Sequence, residues 1–148
     1  HGMVGGQSLD LEGEALTSQG GAYDLAHLQL IHRLKTGALL RAALELGAIA
    51  GGADEATRAR LREAGAALGL AFQIQDDLLD ATSTAEAMGK RVGKDEGKGK
   101  ITYPRLLGLD GAREALEKAT GRALEGLSPL PHPEALVAWA RFLAERTA

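Results

Sequence analysis

The sequence predicts an all-α helical bundle. Long stretches rich in Ala, Leu, Arg and Glu carry apolar residues at helical spacing, and β-branched residues are few. Aromatic residues make up 3% of the 148, which further disfavours strands. Clusters of glycine and proline cut the chain into helix-sized pieces.

In chain order, helices are expected over residues 3–16, 24–33, 35–51, 55–83, 102–108, 110–126 and 133–146. The first carries Gln7 and Asp10 three apart, hence on one face, and Gly20-Gly21 ends it. The third is rich in Ala, Leu and Gly, with Arg41 and Glu45 at an i,i+4 spacing, and stops at Gly51-Gly52. Asp54 suits the N-cap of the fourth and Asp110 that of the sixth. Glycines between Gly89 and Lys100 rule out a stable helix there, because each costs backbone entropy. The run Ser128-Pro129-Leu130-Pro131-His132-Pro133 is a linker whose last proline suits a first helical position. In the last helix Leu136, Trp139, Ala140 and Leu143 form an expected core stripe. There is no internal repeat.

Composition bounds the function. At 148 residues the chain is of one-domain size, with an ordinary 45% hydrophobic and 25% charged content for a soluble protein. A net charge of −3 argues against nucleic acid as a partner. The absence of cysteine excludes disulfides and thiol chemistry and suits a reducing, cytoplasmic location. No uncharged apolar run reaches the roughly 18 residues of a membrane span, and no signal peptide is visible.

The most informative segment is Phe72-Gln73-Ile74-Gln75-Asp76-Asp77-Leu78-Leu79-Asp80. Three carboxylates fall within five positions of an otherwise buried-looking helix, where an unpaired charge is costly. Asp76 and Asp80 lie one turn apart on one face, and Gln73 extends that polar stripe. Like charges at this spacing repel, so a cation is the natural compensation. Magnesium binds through one or two carboxylates plus substrate phosphates. The competing explanation is a solvated acidic face without a ligand.

A basic segment follows, Gly89-Lys90-Arg91-Val92-Gly93-Lys94-Asp95-Glu96-Gly97-Lys98-Gly99-Lys100. Carboxylates with a metal on one side and lysines on the other suit a polyanion such as a diphosphate, which bridges both. The glycine and lysine spacing does not fit a P-loop, and neither Lys98 nor Lys100 is followed by Ser or Thr. A solvated linker is the alternative. Upstream, His32-Arg33-Leu34-Lys35-Thr36-Gly37 sets a cation and a hydroxyl at the head of a lane of small residues. That suits an amphiphile with an anionic head, although on these residues alone a snorkelling surface lysine is the favoured account.

Other candidates are weaker. His27 and His32 are five apart and turn away from one another on a helix, so a metal pair is not expected and His32 is read as a packing residue. Ser8 and Ser83 have no His/Asp partner pattern for nucleophilic catalysis.

Together these segments resemble the C-terminal half of the trans-isoprenyl diphosphate synthases (polyprenyl synthetases), of the short-chain farnesyl and geranylgeranyl type. The resemblance rests on Gly6-Gln7-Ser8-Leu9-Asp10-Leu11, His32 to Leu40, Leu68 to Asp80, Gly89-Lys90 and Gly99-Lys100-Ile101-Thr102-Tyr103-Pro104. It implies prenyl transfer from an allylic diphosphate to isopentenyl diphosphate, with Mg2+ as cofactor. By the same resemblance Asp76 is a direct metal ligand, and Asp77 and Asp80 hold metal directly or through water. Lys35, Lys90 and Lys100 grip the diphosphate, while Thr36 and Gln73 lie beside the reacting carbon. A full-length homodimer is expected.

The family's first aspartate-rich motif and its isopentenyl diphosphate arginines lie upstream of the Gly-Gln-Ser-Leu-Asp segment, which here begins near the first residue. The chain is therefore expected to be the C-terminal part (residues 1–148) of a single helical isoprenoid-synthase domain, inactive alone. The alternative is a non-catalytic helical module or regulatory subunit of the same fold. A terpene cyclase shares the helical fold, but its metal motifs differ.

Overall fold

A computed structural model describes residues 2–18, 24–88 and 101–146. Among them the chain is all α, with no strand. The elements are α1 (Met3–Ser18), α2 (Leu25–His32), a π-helical turn (Arg33–Gly37), α3 (Ala38–Ala50), α4 (Glu55–Met88), α5 (Tyr103–Leu127) and α6 (Glu134–Glu145).

α4 is the axis of the bundle. At 34 residues it is about 50 Å long. One of its faces carries Leu61, Ala64, Leu68, Ala71, Ile74 and Leu78, all buried. The upper part of that face meets Leu28 and Ile31 of α2 and Tyr103, Ala112 and Ala119 of α5. The lower part meets Ala48 of α3, Ala123 and Leu127 of α5, and Ala140 of α6. Burying such a stripe, at very roughly 1.5–3 kcal/mol per large aliphatic side chain, is what fixes a helix this long.

Local chemistry sets the ends. Asp54 accepts the Thr57 N–H at 2.8 Å and caps α4 as expected, and this bonding holds its carboxyl below the ordinary value. Asp24 caps α2 by accepting the His27 N–H at 2.9 Å. Arg62 ties α3 to α4 by pairing with Glu45 at 2.8 Å and Glu55 at 2.6 Å. Glu45 is thus drawn across to α4 instead of pairing with Arg41 along its own helix.

Two expectations need correction. Residues 24–51 form one near-continuous helical run, joined through the π turn instead of broken at residue 34. The break expected between 102–108 and 110–126 is present: α5 is two helical stretches meeting at a kink at Gly108, whose φ of 74° is readily adopted only by glycine. Asp110 pairs with Arg113 just past that kink. Trp139 is 41% exposed, because the buried line of α6 runs through Ala140 and Ala144, flanked by the partly buried Leu136, Val137 and Leu143. Trp139 lies at the edge of that line.

Candidate active-site wall

The π turn is the first structural feature of the site. A π turn widens a helix by one residue and is often found at functional positions. Here backbone crowding from two sides accompanies it. A Cβ at Gly6 of α1 would stand 2.7 Å from Lys35 Cα, and one at Gly69 of α4 would stand 2.9 Å from Gly37 N. Only glycine allows these approaches, so the turn is clamped between α1 and α4.

The clamp aims Lys35 at α1. Lys35 Nζ lies 2.6 Å from Asp10 Oδ2, and Asp10 is buried. A buried carboxylate needs such a partner. Lys35 and Thr36 line a mainly apolar cavity of about 550 Å³ with Gln7, Ser8, Met3, Val4, Leu11 and Leu39. Gln7 and Asp10 therefore do share one side of the site with Lys35. Ser8 Oγ donates to Glu12 Oε1, one turn on, at 3.0 Å.

The second feature is the opposite face of α4, where Gly69, Gln73, Asp76 and Asp80 follow 4/3/4 spacing. Asp76 lies seven residues beyond Gly69, about 10 Å along the helix from the π turn. Gln73 Nε2 donates to Asp76 Oδ2 at 3.2 Å. Arg146, just past α6, donates through Nη2 to Asp76 Oδ1, and its guanidinium lies 4.0 Å from the centre of the Phe72 ring. Asp80 is exposed.

Asp77 is different. It is 4% exposed, and its Oδ2 accepts the Tyr103 N–H at 3.0 Å, fastening the start of α5 to α4. The Tyr103 ring is buried and stacks on His32 at 5.7 Å, so His32 has the packing role expected of it. Burial pushes the Tyr103 phenol up, opposed by the neighbouring Gln29.

The structure thus groups Lys35 and Thr36 with Gln7 and Asp10, and Gln73 with Asp76. It puts Asp77 on another face. Lys90 and Lys100 lie outside the described residues. Among the described residues, a larger cavity of about 920 Å³ lies between α2, α4 and α5 and is lined by none of the expected site residues. Sequence reasoning missed Arg146, which is 70 residues from Asp76 and carries no local signal. It also missed the Gly6 and Gly69 notches, although glycine inside a helix is a usable one.

Would these residues suit magnesium? Among the described residues no group of three or more His, Cys, Asp or Glu side chains is placed to hold an ion. The donors are oxygen, however, Asp76 is 42% exposed at its side chain, and its Oδ1 already carries a cation in the form of the Arg146 guanidinium. That fits a hard ion held by one or two carboxylates and completed by phosphate.

Known proteins resemble this chain in sequence and in fold. The polyprenyl synthetase family model matches residues 1–128. Geranylgeranyl pyrophosphate synthase 9, chloroplastic, of Arabidopsis thaliana is 46% identical over 98% of this chain and 40% of its own length. Farnesyl diphosphate synthase of Geobacillus stearothermophilus is 49% identical over 78% of this chain and 37% of its own. A Helicobacter pylori geranyltransferase, solved with magnesium and isoprenyl diphosphate, superposes with a TM-score of 0.72 at 30% identity, covering 96% of this chain and 45% of that one. The chain spans about two fifths of the length of these curated relatives. The chain belongs to the polyprenyl synthetase family.

Proposed function

We propose that the protein carrying this chain is a short-chain prenyltransferase that condenses an allylic diphosphate with isopentenyl diphosphate, and that these residues are the C-terminal part of its helical domain, one wall of the active site. Asp76 carries this proposal: a half-exposed carboxylate on a buried helix, oriented by Gln73 and able to hold a cation. Asp80, one turn on, is the second metal-facing carboxylate. Asp77 serves chiefly by anchoring Tyr103. The Helicobacter pylori relative, solved with magnesium and isoprenyl diphosphate, supports Mg2+ as the ion.

In this scheme Lys35, steered by Asp10, binds the diphosphate from the π-turn side. Lys90 and Lys100 supply further positive charge. Thr36 and Gln73 present oxygen atoms toward the reacting carbon, where positive charge builds. Magnesium, when bound, neutralises the charge that develops on the departing diphosphate. The allylic C–O bond breaks with its electron pair leaving on diphosphate. The double bond of isopentenyl diphosphate then forms the new C–C bond, and the proton released goes to the diphosphate. A homodimer and a cytoplasmic location belong to the same proposal. Because the relatives are more than twice as long, the 148-residue chain alone is predicted not to turn over. Detectable prenyl transfer by the purified chain would refute that.

The test is binding. A non-hydrolysable allylic diphosphate should bind the full-length protein in a Mg2+-dependent way, and Asp76→Ala should abolish that dependence. Binding indifferent to Mg2+ and to the substitution would support a non-catalytic helical module instead.

A further inference from the structure

We propose that Arg146 is the resident counter-cation of Asp76: it holds the carboxylate while no metal is bound, gives way when a divalent ion binds, and thereby ties the end of α6 to metal loading. This rests on the metal role proposed for Asp76 above.

Arg146 is seated by several separate contacts within one turn of α4. Its guanidinium covers the Phe72 ring at 4.0 Å. Nη2 donates to Asp76 Oδ1 and reaches the Phe72 carbonyl oxygen at 3.5 Å. The Arg146 carbonyl oxygen accepts from Gln75 Nε2 at 2.7 Å. The backbone has already left the helix at this residue, with φ −55° and ψ 136°. Side-chain contacts, not helical hydrogen bonds, therefore hold it in place.

Competition with a metal follows from the donor count. One oxygen of Asp76 is engaged by Arg146 and the other by Gln73. A dication at Oδ1 would meet a fixed positive charge at the same atom, so one must leave. The hold is of the right size to be displaced. The pair is 24% exposed at Arg146 and 42% at Asp76, so solvent screens it. With the aromatic contact added, such a hold changes an equilibrium by roughly 3- to 20-fold. Linkage makes the coupling reciprocal: whatever factor Arg146 takes from metal affinity, the metal takes from Arg146 docking.

The experiment is a Mn2+ titration of the intact protein that carries this chain, with free ion followed by electron paramagnetic resonance. Arg146→Gln should bind Mn2+ roughly 3- to 20-fold more tightly than wild type, and Phe72→Leu should gain by a smaller factor. Asp76→Asn should lose the site. In parallel, Mg2+ should shift the Arg146 side-chain 15Nε resonance in wild type but not in Asp76→Asn. Unchanged or weaker Mn2+ binding in Arg146→Gln, with Asp76→Asn still deleterious, overturns the proposal alone. Intact Mn2+ binding in Asp76→Asn overturns the metal role of Asp76 and this proposal with it. Should Arg146→Gln fold poorly, the Phe72→Leu affinity and the wild-type resonance decide the question in the same way.

Discussion

The two ends of the site wall are built differently. Around Lys35 the backbone itself is locked, with α1 and α4 pressed onto the π turn through glycine notches, and the charge is paired with a buried carboxylate. Around Asp76 the backbone is an ordinary helix, and every partner is a side chain that can rotate away. A fixed cation suits an anchor for a group that always carries negative charge. A carboxylate with exchangeable partners suits an ion that comes and goes. Comparing the two, packing density and not residue type distinguishes a permanent contact from a replaceable one.

Several substitutions would break or sharpen that contrast. The largest effect is expected at the clamp. Gly69→Ala presses a methyl group into the Gly37 backbone, which cannot yield like a side chain, and should cost about 1–3 kcal/mol or more in denaturant unfolding. A loss below about 0.5 kcal/mol would mean the π turn is not clamped.

Next comes the difference between adjacent aspartates. Asp77→Ala leaves the buried Tyr103 N–H without its acceptor and should destabilise by about 1–3 kcal/mol, with Asp77→Asn recovering part of the loss. Asp76→Ala should change stability much less. Equal losses from the two would erase the distinction drawn between anchor and ligand. A smaller effect, about 1–2 kcal/mol, is expected for Asp10→Asn, since the pair it breaks is buried on one side and partly exposed on the other. The same variant should weaken diphosphate binding through the freed Lys35.

The mildest effect is that of pH on the upper part of the core, where Tyr103 is buried. Burial raises the Tyr103 phenol above its ordinary value of 10.0, so the folded state favours the protonated form. That contribution is complete below about pH 10 and declines as pH rises above it, because the unfolded chain then releases its proton first. An alkaline stability profile steeper in wild type than in Tyr103→Phe would confirm it.

Much of this was legible in the sequence. The helical period of α4 gave both its buried face and the polar stripe of Gln73, Asp76 and Asp80, since each follows from spacing alone. Asp54 as a cap was equally readable, because the interaction spans three residues. What spacing cannot convey is where other elements land. Asp76 and Asp77 are neighbours of the same type, and only the approach of α5 turns one of them into an anchor. The π turn depends on glycines 29 positions before and 32 after Lys35 and Gly37 respectively, counted from Gly6 and to Gly69. Arg146 shows the same limit more plainly, reaching Asp76 across 70 residues of chain. Trp139 was misjudged because a large apolar side chain at nearly the right phase mimics a core position.

The most direct test of the central claim is the initial rate of prenyl transfer from dimethylallyl to isopentenyl diphosphate by the full-length protein, measured against Mg2+ for wild type and Asp76→Asn. The account predicts Mg2+-dependent turnover in wild type and a loss of about 100-fold or more in the variant, the scale of removing a group that stabilises transition-state charge. Equal rates in the two proteins would contradict it.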